Sequence, residues 1–112
     1  MIGLPLVYVA GPITIPDPLE NTHYAIKAAT ALLDSGLVAP YVPHLTCFWH
    51  VVTPRPYETW LAYDLEILAR CDALLRLPGE SAGADREVAF AVEQGIPVLW
   101  SVDEVEAWAA NR

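Results

Sequence analysis

The sequence predicts a single α/β domain over residues 1–112, with a parallel sheet of about four to five strands between helices, in three layers. Short apolar runs alternate with helical patterns in the order β-α-β-loop-α-β-α-β-α, which is typical of parallel strands joined by right-handed crossovers. The first run, Leu6–Ala10, is apolar throughout, which indicates that both faces of this strand are covered. Hydrophobic residues make up 54% and charged residues 18% of the chain, so the composition favours a buried core and excludes disorder.

Four apolar runs predict the strands. Proline or glycine bounds each run on at least one side, and these residues commonly punctuate strands. In chain order the predicted strands are Leu6–Ala10, Leu37–Val42, Ala73–Leu77 and Pro97–Trp100.

Helical spacing of apolar residues predicts four helices. They are Tyr24–Leu33, Tyr57–Cys71, Ala84–Gln94 and a final helix capped by Ser101. Asn21 or Thr22 is the candidate cap of the first helix. Residues 43–56 hold three prolines and are expected to form a long ordered loop, and loops of this length inside a compact domain are usually functional.

The predicted topology selects the segments that can form a site. Ligands of such sheets bind at the carboxyl ends of the strands, near the point where the strand order reverses. Four segments are then candidates: residues 11–21, 43–56, 78–87 and those just after Trp100.

The net charge of −8 excludes a nucleic-acid polymer as the partner, because polyanion binding relies on clustered basic residues and the six here are scattered. A small ligand stays possible, since backbone N–H groups at a helix start can hold one phosphate.

Cys47 and Cys71 lack metal-ligand spacing, so we expect no metal and no redox cofactor. Without a basic amino-terminal region or a long apolar run, we expect a cytoplasmic protein that does not contact membranes. The low charge content also favours a homo-oligomer, a dimer or larger.

Glu87 and Asp64 are the acidic residues with the clearest chemical interpretation. Glu87 lies in about the first turn of a predicted helix, where N–H dipoles favour its ionised form. It is either a nucleophile aimed into a cleft or an ordinary helix-start acid. Asp64 shares an apolar helix stripe with Trp60 and must therefore be paired, protonated or facing a cleft, or else lie at the stripe edge on the surface.

Other candidates are ambiguous when they are considered alone. Tyr8 is either a core aromatic residue or a phenol that orients a carboxylate. The Ser81–Ala84 loop either cradles a phosphate or merely caps a helix. His44 and His50 flank Phe48 and Trp49, a combination that favours a base-stacking pocket over a metal site.

Taken together, five motifs resemble the nucleoside 2-deoxyribosyltransferase superfamily, which includes the 2′-deoxynucleoside 5′-monophosphate N-glycosidases. They are Val7-Tyr8-Val9-Ala10-Gly11-Pro12-Ile13, Asp64-Leu65-Glu66-Ile67-Leu68, Cys71-Asp72-Ala73-Leu74-Leu75, Ser81-x-Gly83-x-x-x-Glu87 and Gly95-Ile96-Pro97-Val98. The resemblance implies a flavodoxin-like or Rossmann-like sheet in an obligate oligomer whose sites are completed by a neighbouring subunit. It also implies that Glu87 is the nucleophile, that Asp64 contacts and protonates the leaving base, and that Tyr8 orients the nucleophile. The resemblance further implies a preference for a 5′-monophosphate, because the monophosphate hydrolases of the superfamily have a serine six positions before the glutamate, where this chain has Ser81.

The expected function is hydrolysis or base exchange at the N-glycosidic bond of a (deoxy)nucleoside or its 5′-monophosphate. The alternatives are a non-catalytic nucleotide-sensing module on the same fold and a purely structural oligomeric protein. The expected catalytic residues are Glu87, Asp64 and Tyr8. The expected substrate-binding residues are Gly11, Pro12, Ile13, Asn21, His44, Trp60, Ser81 and Gly83.

Overall fold

The computed structural model describes residues 2–112 and contains one parallel sheet with helices on both faces. The strands are β1 (Leu6–Ala10), β2 (Ala39–Tyr41), β3 (Ala73–Arg76) and β4 (Val98–Leu99). The helices are α1 (Pro18–Ser35), α2 (Thr46–Val52), α3 (Tyr57–Leu68), α4 (Ala82–Glu93) and α5 (Val102–Ala110), and a 3-10 helix (Pro43–Leu45) precedes α2. In the part of the chain that is described, no helix has both the length and the apolar character needed to span a bilayer.

The strand order is β2-β1-β3-β4, and all neighbouring strands are parallel. The chain first moves from β1 to β2 on one side and then crosses back to β3 on the other side. The order therefore reverses between β1 and β3, where Tyr8 is paired with Leu74. Turns that leave these two strands diverge above the sheet and leave space for a cleft between them.

Alternating residues of β1 belong to two different cores, which explains the three layers. Val7 and Val9 are fully buried in one hydrophobic core with residues of α1 and α5. Tyr8 and Ala10 are fully buried in the other core, against α3 and α4. The three-layer α/β architecture predicted from the alternating apolar runs is confirmed.

Residues 43–56 differ from the prediction of an irregular loop, because they contain the 3-10 helix and α2. Pro43 opens the 3-10 helix, where its fixed φ is favourable and its missing N–H is not needed. The next prolines, at 54 and 56, come after α2 and do not interrupt it. None of the residues of α2 is buried, so the segment lacks the apolar periodicity by which helices are predicted.

The start of α1 also differs from the prediction, which placed the cap at Asn21 or Thr22. The helix begins at Pro18, and the Asp17 carboxylate accepts a hydrogen bond from the Glu20 N–H at 3.3 Å. Asp17 is a favourable cap and Pro18 a favourable first residue. Asn21 consequently lies within the first turns of α1, and its side chain is free to contact the turn after β1.

Candidate functional site

A cleft of about 880 Å³ opens beyond the carboxyl ends of β1 and β3. Three stretches of chain line it: the turn after β1 as far as Pro18, the segment from Thr46 to Asp64, and the segment from Glu80 to Glu87. Three of the four segments predicted from the strand ends contribute to this lining, and α3 adds residues from Tyr57 to Asp64 that lie outside the predicted segments. The residues after Trp100 do not line the cleft.

Glu87 lies at the inner wall of this cleft. It is in the second turn of α4, one turn later than predicted, and only 7% of its surface is exposed. Its carboxylate Oε2 accepts a hydrogen bond from the hydroxyl of Tyr8, which is fully buried in β1. Tyr8 therefore holds Glu87 from behind and does not itself line the cleft.

The pKa of Glu87 is raised from 4.5 to about 7. Burial is the main cause, because a carboxylate loses hydration when it is removed from water. The hydrogen bond from Tyr8 and the positive charge of Arg76 both oppose this effect, since each stabilises the ionised form. Burial and the charge of Glu87 in turn raise the pKa of the Tyr8 hydroxyl, so Tyr8 remains a hydrogen-bond donor.

Arg76 is a functional neighbour that sequence reasoning missed. It ends β3, is 7% exposed, and donates hydrogen bonds to the carbonyl oxygens of Leu77 and Gly79 and to the Asp85 carboxylate. These contacts hold the β3–α4 turn and place a buried positive charge near Glu87. The available signal was an arginine in the otherwise apolar run Ala73–Leu77, since a buried guanidinium requires acceptors.

Asp64 faces the same cleft from α3. Of the predicted alternatives, the structure shows a buried carboxyl that faces a cleft and not a surface position at the edge of the stripe. It is 6% exposed, and its Oδ1 atom has no hydrogen-bond partner within residues 2–112. Burial, and then the negative charge of Glu87, raise the pKa of Asp64 from 3.8 to about 7. A buried carboxyl without a cation or donor partner favours its neutral, protonated form.

Asp64 and Glu87 consequently form an unequal acid pair. Repulsion between two nearby carboxylates favours a state that holds one proton. Tyr8 and Arg76 stabilise the charge on Glu87, whereas Asp64 has no such partner. The favoured single-proton state therefore has an ionised Glu87 and a protonated Asp64, which is the division of roles that a nucleophile and a general acid require.

Two glycines near Glu87 approach neighbouring side chains closely. Gly79 has φ +115°, and a Cβ atom there would lie 2.8 Å from Cγ of Pro12. A Cβ atom on Gly83 would lie 2.9 Å from the hydroxyl oxygen of Tyr57. The Tyr57 side chain is exposed and can move away from Gly83. The Gly79–Pro12 contact cannot relax in this way, so it fixes the distance between the turns after β1 and β3.

Ser81 has the structural role that was one of its two predicted alternatives. Its Oγ atom accepts a hydrogen bond from the Ala84 N–H at 3.0 Å and caps α4. It also lines the cleft beside Gly83. A ligand at this end of the cleft would therefore meet a hydroxyl group and the start of a helix, both of which suit an anionic group.

Four more of the predicted substrate-binding residues line the cleft: Gly11, Pro12, Ile13 and Trp60. The other two, Asn21 and His44, lie behind it. Asn21 donates hydrogen bonds to the carbonyl oxygens of Ile13, at 3.2 Å, and Ile15, at 3.0 Å. These contacts support the turn after β1.

His44 is fully buried, and its Nε2 atom lies 2.9 Å from the carbonyl oxygen of Pro12. That oxygen can only accept, so Nε2 carries the hydrogen. Burial lowers the pKa of His44, which favours this neutral ring. Like Asn21, His44 supports the turn after β1, and the contact with substrate predicted for both residues stays a prediction.

The aromatic residues of α2 are arranged differently from the predicted stacking pocket. Phe48 lines a separate groove between α1 and α2. Trp49 packs edge-on against Trp60, with ring centroids 5.3 Å apart. His50 and Trp60 line the cleft instead, and Trp60 Nε1 donates a hydrogen bond to His50 Nδ1 at 2.8 Å. Among residues 2–112, no group of three or more histidine, cysteine, aspartate or glutamate side chains is placed to hold a metal ion.

Comparison with known families places the chain in one of them. Residues 5–100 match the family described as "Domain of unknown function (DUF4406)". The chain belongs to this family. No curated protein matches the chain.

Two solved structures of 2-deoxyribosyltransferases share the fold. The 2-desoxiribosyltransferase from Leishmania mexicana has a TM-score of 0.64 and 21% identity, covering 86% of this chain and 63% of the other. The 2-deoxyribosyltransferase from the psychrotolerant bacterium Bacillus psychrosaccharolyticus has a TM-score of 0.61 and 20% identity, covering 83% of this chain and 69% of the other. The chain thus spans less than two thirds of the length of the Leishmania enzyme. At this identity, the similarity shows a common α/β architecture.

Proposed function

We propose that the chain cleaves the N-glycosidic bond of a (deoxy)nucleoside or nucleoside 5′-monophosphate, by hydrolysis or by base exchange. The observation that carries this proposal is the pair of buried carboxyls in the cleft, Glu87 held by the Tyr8 hydroxyl and Asp64 with no hydrogen-bond partner for Oδ1 within residues 2–112. The fold shared with two 2-deoxyribosyltransferases supports the same reaction class.

In the first step, a Glu87 carboxylate oxygen attacks the anomeric carbon of the sugar as the bond to the base breaks. The electron pair of that bond leaves with the base, and Asp64 gives its proton to the base. The transition state has oxocarbenium character, which the negative charge of Glu87 stabilises. Tyr8 holds the carboxylate in position without contacting the sugar.

In the second step, water or a second base attacks the same carbon and Glu87 leaves as a carboxylate. The attacking water or base gives its proton to the Asp64 carboxylate, which restores the starting state. Every proton and electron pair is accounted for by these two side chains and the reactants.

A 5′-monophosphate is the better-supported substrate within this class. Arg55 and Arg86 both line the cleft, and neither forms an ion pair within residues 2–112. Two unpaired cations in the cleft wall of a chain with net charge −8 favour an anionic ligand. Ser81 and the amino-terminal end of α4 contribute further groups that suit a phosphate.

The test is incubation of the protein with a panel of nucleosides and nucleoside 5′-monophosphates, with chromatographic detection of free base. Glu87→Gln should reduce base release at least about 10³-fold, because the neutral amide cannot form the glycosyl ester. Glu93→Gln is the matched control, since Glu93 is an exposed residue at the other end of α4. Equal base release by wild type and Glu87→Gln would refute the role of Glu87. Saturable nucleotide binding without base release would favour a sensing module instead.

A further inference from the structure

The hydrogen bonds of His50 fix which of its ring nitrogens carries the hydrogen. Nδ1 accepts from Trp60 Nε1 at 2.8 Å and from the backbone N–H of Arg55 at 3.2 Å. Both partners are obligatory donors, so Nδ1 must offer its lone pair. In a neutral imidazole ring the hydrogen is then on Nε2, because the bond made by one nitrogen determines the state of the other.

His50 is also held in orientation by the same contacts. Its ring meets the Trp60 indole edge-on, with centroids 6.0 Å apart and an interplanar angle of 77°. Both residues line the cleft, and Nε2 has no hydrogen-bond partner within residues 2–112. His50 thus contributes an unused N–H donor whose identity is set before a ligand binds.

His50 lies on the wall of the cleft where the base would lie under the proposed function. Trp60 precedes Asp64 by four residues on α3, so the two side chains lie on the same helix face. Under the proposed function, Asp64 offers its proton to the leaving base. His50 contacts Trp60 from α2, and this wall of the cleft therefore contains two hydrogen donors, the Asp64 carboxyl and the His50 ring.

We propose that His50 is a specificity-determining residue that selects bases with a carbonyl oxygen against bases with an amino group at the same position. This inference rests on the proposed function and extends it to the class of base. A carbonyl oxygen accepts the Nε2–H, whereas an amino group is itself a donor and leaves both groups unpaired. His50 is exposed in the free chain, so the discrimination operates where the bound base displaces water from Nε2 and an unmatched donor is left unpaired.

Two pairs of 5′-monophosphates test the proposal, because each pair differs by a carbonyl-for-amine exchange. They are deoxyinosine against deoxyadenosine monophosphate and deoxyuridine against deoxycytidine monophosphate. For the pair that is turned over faster, the carbonyl member should have a kcat/KM about 10- to 100-fold higher. Dissociation constants for the same pair, measured by calorimetry, should show the same preference.

His50→Asn separates recognition from structural support. The asparagine Oδ1 atom can replace Nδ1 as the acceptor for Trp60 and Arg55, but the side chain has no atom at the place of Nε2. We expect the melting temperature to be nearly unchanged and the carbonyl preference to fall to within about threefold of unity. Trp60→Phe is the second variant: without its indole N–H only the Arg55 backbone N–H fixes the tautomer, and the preference should fall less than in His50→Asn.

The outcomes distinguish this inference from the proposed function. Base release with no carbonyl preference in wild type, or with the same preference in folded His50→Asn, would overturn the role of His50 and leave glycosidic cleavage intact. A His50-dependent preference in dissociation constants without base release would support His50 and overturn catalysis. If His50→Asn fails to fold, the same preference in folded His50→Ala overturns the proposal, since His50 is exposed and alanine removes the Nε2 donor. Absence of both binding and base release for all four nucleotides would overturn both proposals.

Discussion

Replacing Asp64 by asparagine should make the protein more stable at pH 8, although the substitution removes a residue of the proposed active site. Asp64 is 6% exposed, and its Oδ1 atom lacks a hydrogen-bond partner within residues 2–112. At pH 8 the folded chain must hold this carboxylate in its ionised form, close to the negative charge of Glu87. Asparagine has nearly the same shape and no charge.

The magnitude follows from the pKa of Asp64, which rises from 3.8 to about 7 on folding. Each tenfold difference in acidity corresponds to about 1.4 kcal/mol, so the ionised form is disfavoured by about 4 kcal/mol in the folded state. Because the folded pKa is the higher one, the folded state binds more protons between these values. The free energy of unfolding is therefore not reduced by Asp64 below pH 3.8. Ionisation of Asp64 lowers this free energy progressively as the pH rises through 7.

Asp64→Asn should remove this pH dependence. The buried amide has its own cost of about 1–2 kcal/mol, because it also lacks partners. The net gain in the free energy of unfolding at pH 8 should therefore be about 2–3 kcal/mol. Between pH 4 and pH 8, the difference between variant and wild type should change by about 4 kcal/mol, and this change does not depend on the amide cost.

Urea unfolding followed by tryptophan fluorescence at pH 4 and pH 8 measures both quantities. Asp34→Asn is the control, since Asp34 is an exposed carboxylate on α1 and its replacement should change stability by less than about 1 kcal/mol at either pH. A stability difference for Asp64→Asn that is the same at both pH values would refute the inference that Asp64 is desolvated and unpaired. Base release should meanwhile fall about 10²- to 10⁴-fold, because the proton donor is lost. Stability gained at the expense of activity is common at such sites.

Two further substitutions test how the site is held. Tyr8→Phe removes the hydrogen bond that lowers the pKa of Glu87, so this pKa should rise. The acid limb of the kcat/KM profile for base release should then move to higher pH, with a rate loss of about tenfold or more at pH 6. An unchanged profile would contradict the contact between Tyr8 and Glu87. Gly79→Ala should lower the melting temperature, because Gly79 has φ +115° and its Cβ would lie 2.8 Å from Cγ of Pro12. Gly95→Ala is the matched control, since Gly95 also has a positive φ but a Cβ there would meet no atom within 4 Å, and it should lower the melting temperature less. Equal losses for the two variants would show that the close approach of Gly79 to Pro12 does not constrain the wall.

The sheet could be predicted because each strand is a short apolar run bounded by glycine or proline, and such runs have few other structural solutions. The helix boundaries were less accessible. The capping pair Asp17-Pro18 begins α1 well before its apolar stripe becomes regular. The segment Thr46–Val52 is a helix that buries none of its side chains, so hydrophobic periodicity gives no signal for it.

The candidate site was only partly predictable, for a physical reason. Glu87 and Asp64 stand out in the sequence because acidic residues beside apolar helix positions require an explanation. Arg76 and His50 owe their significance to partners that a periodicity analysis does not identify. Arg76 is satisfied by carbonyl oxygens of a turn. His50 depends on an indole N–H ten residues later, across the connection between α2 and α3.

The difference between the two buried carboxyls follows from the topology of the sheet. The order β2-β1-β3-β4 places β1 beside β3, so Tyr8 of β1 and Arg76 at the end of β3 both reach the region beneath α4. Glu87 on α4 therefore has a hydroxyl donor and a buried cation nearby, whereas Asp64 on α3 has neither. Burial raises the pKa of both carboxyls, but only Glu87 has partners that oppose the rise. The strand order thus gives Glu87 on α4 the partners that stabilise a negative charge and leaves Asp64 on α3 without them, which is the asymmetry on which the proposed roles of nucleophile and acid depend.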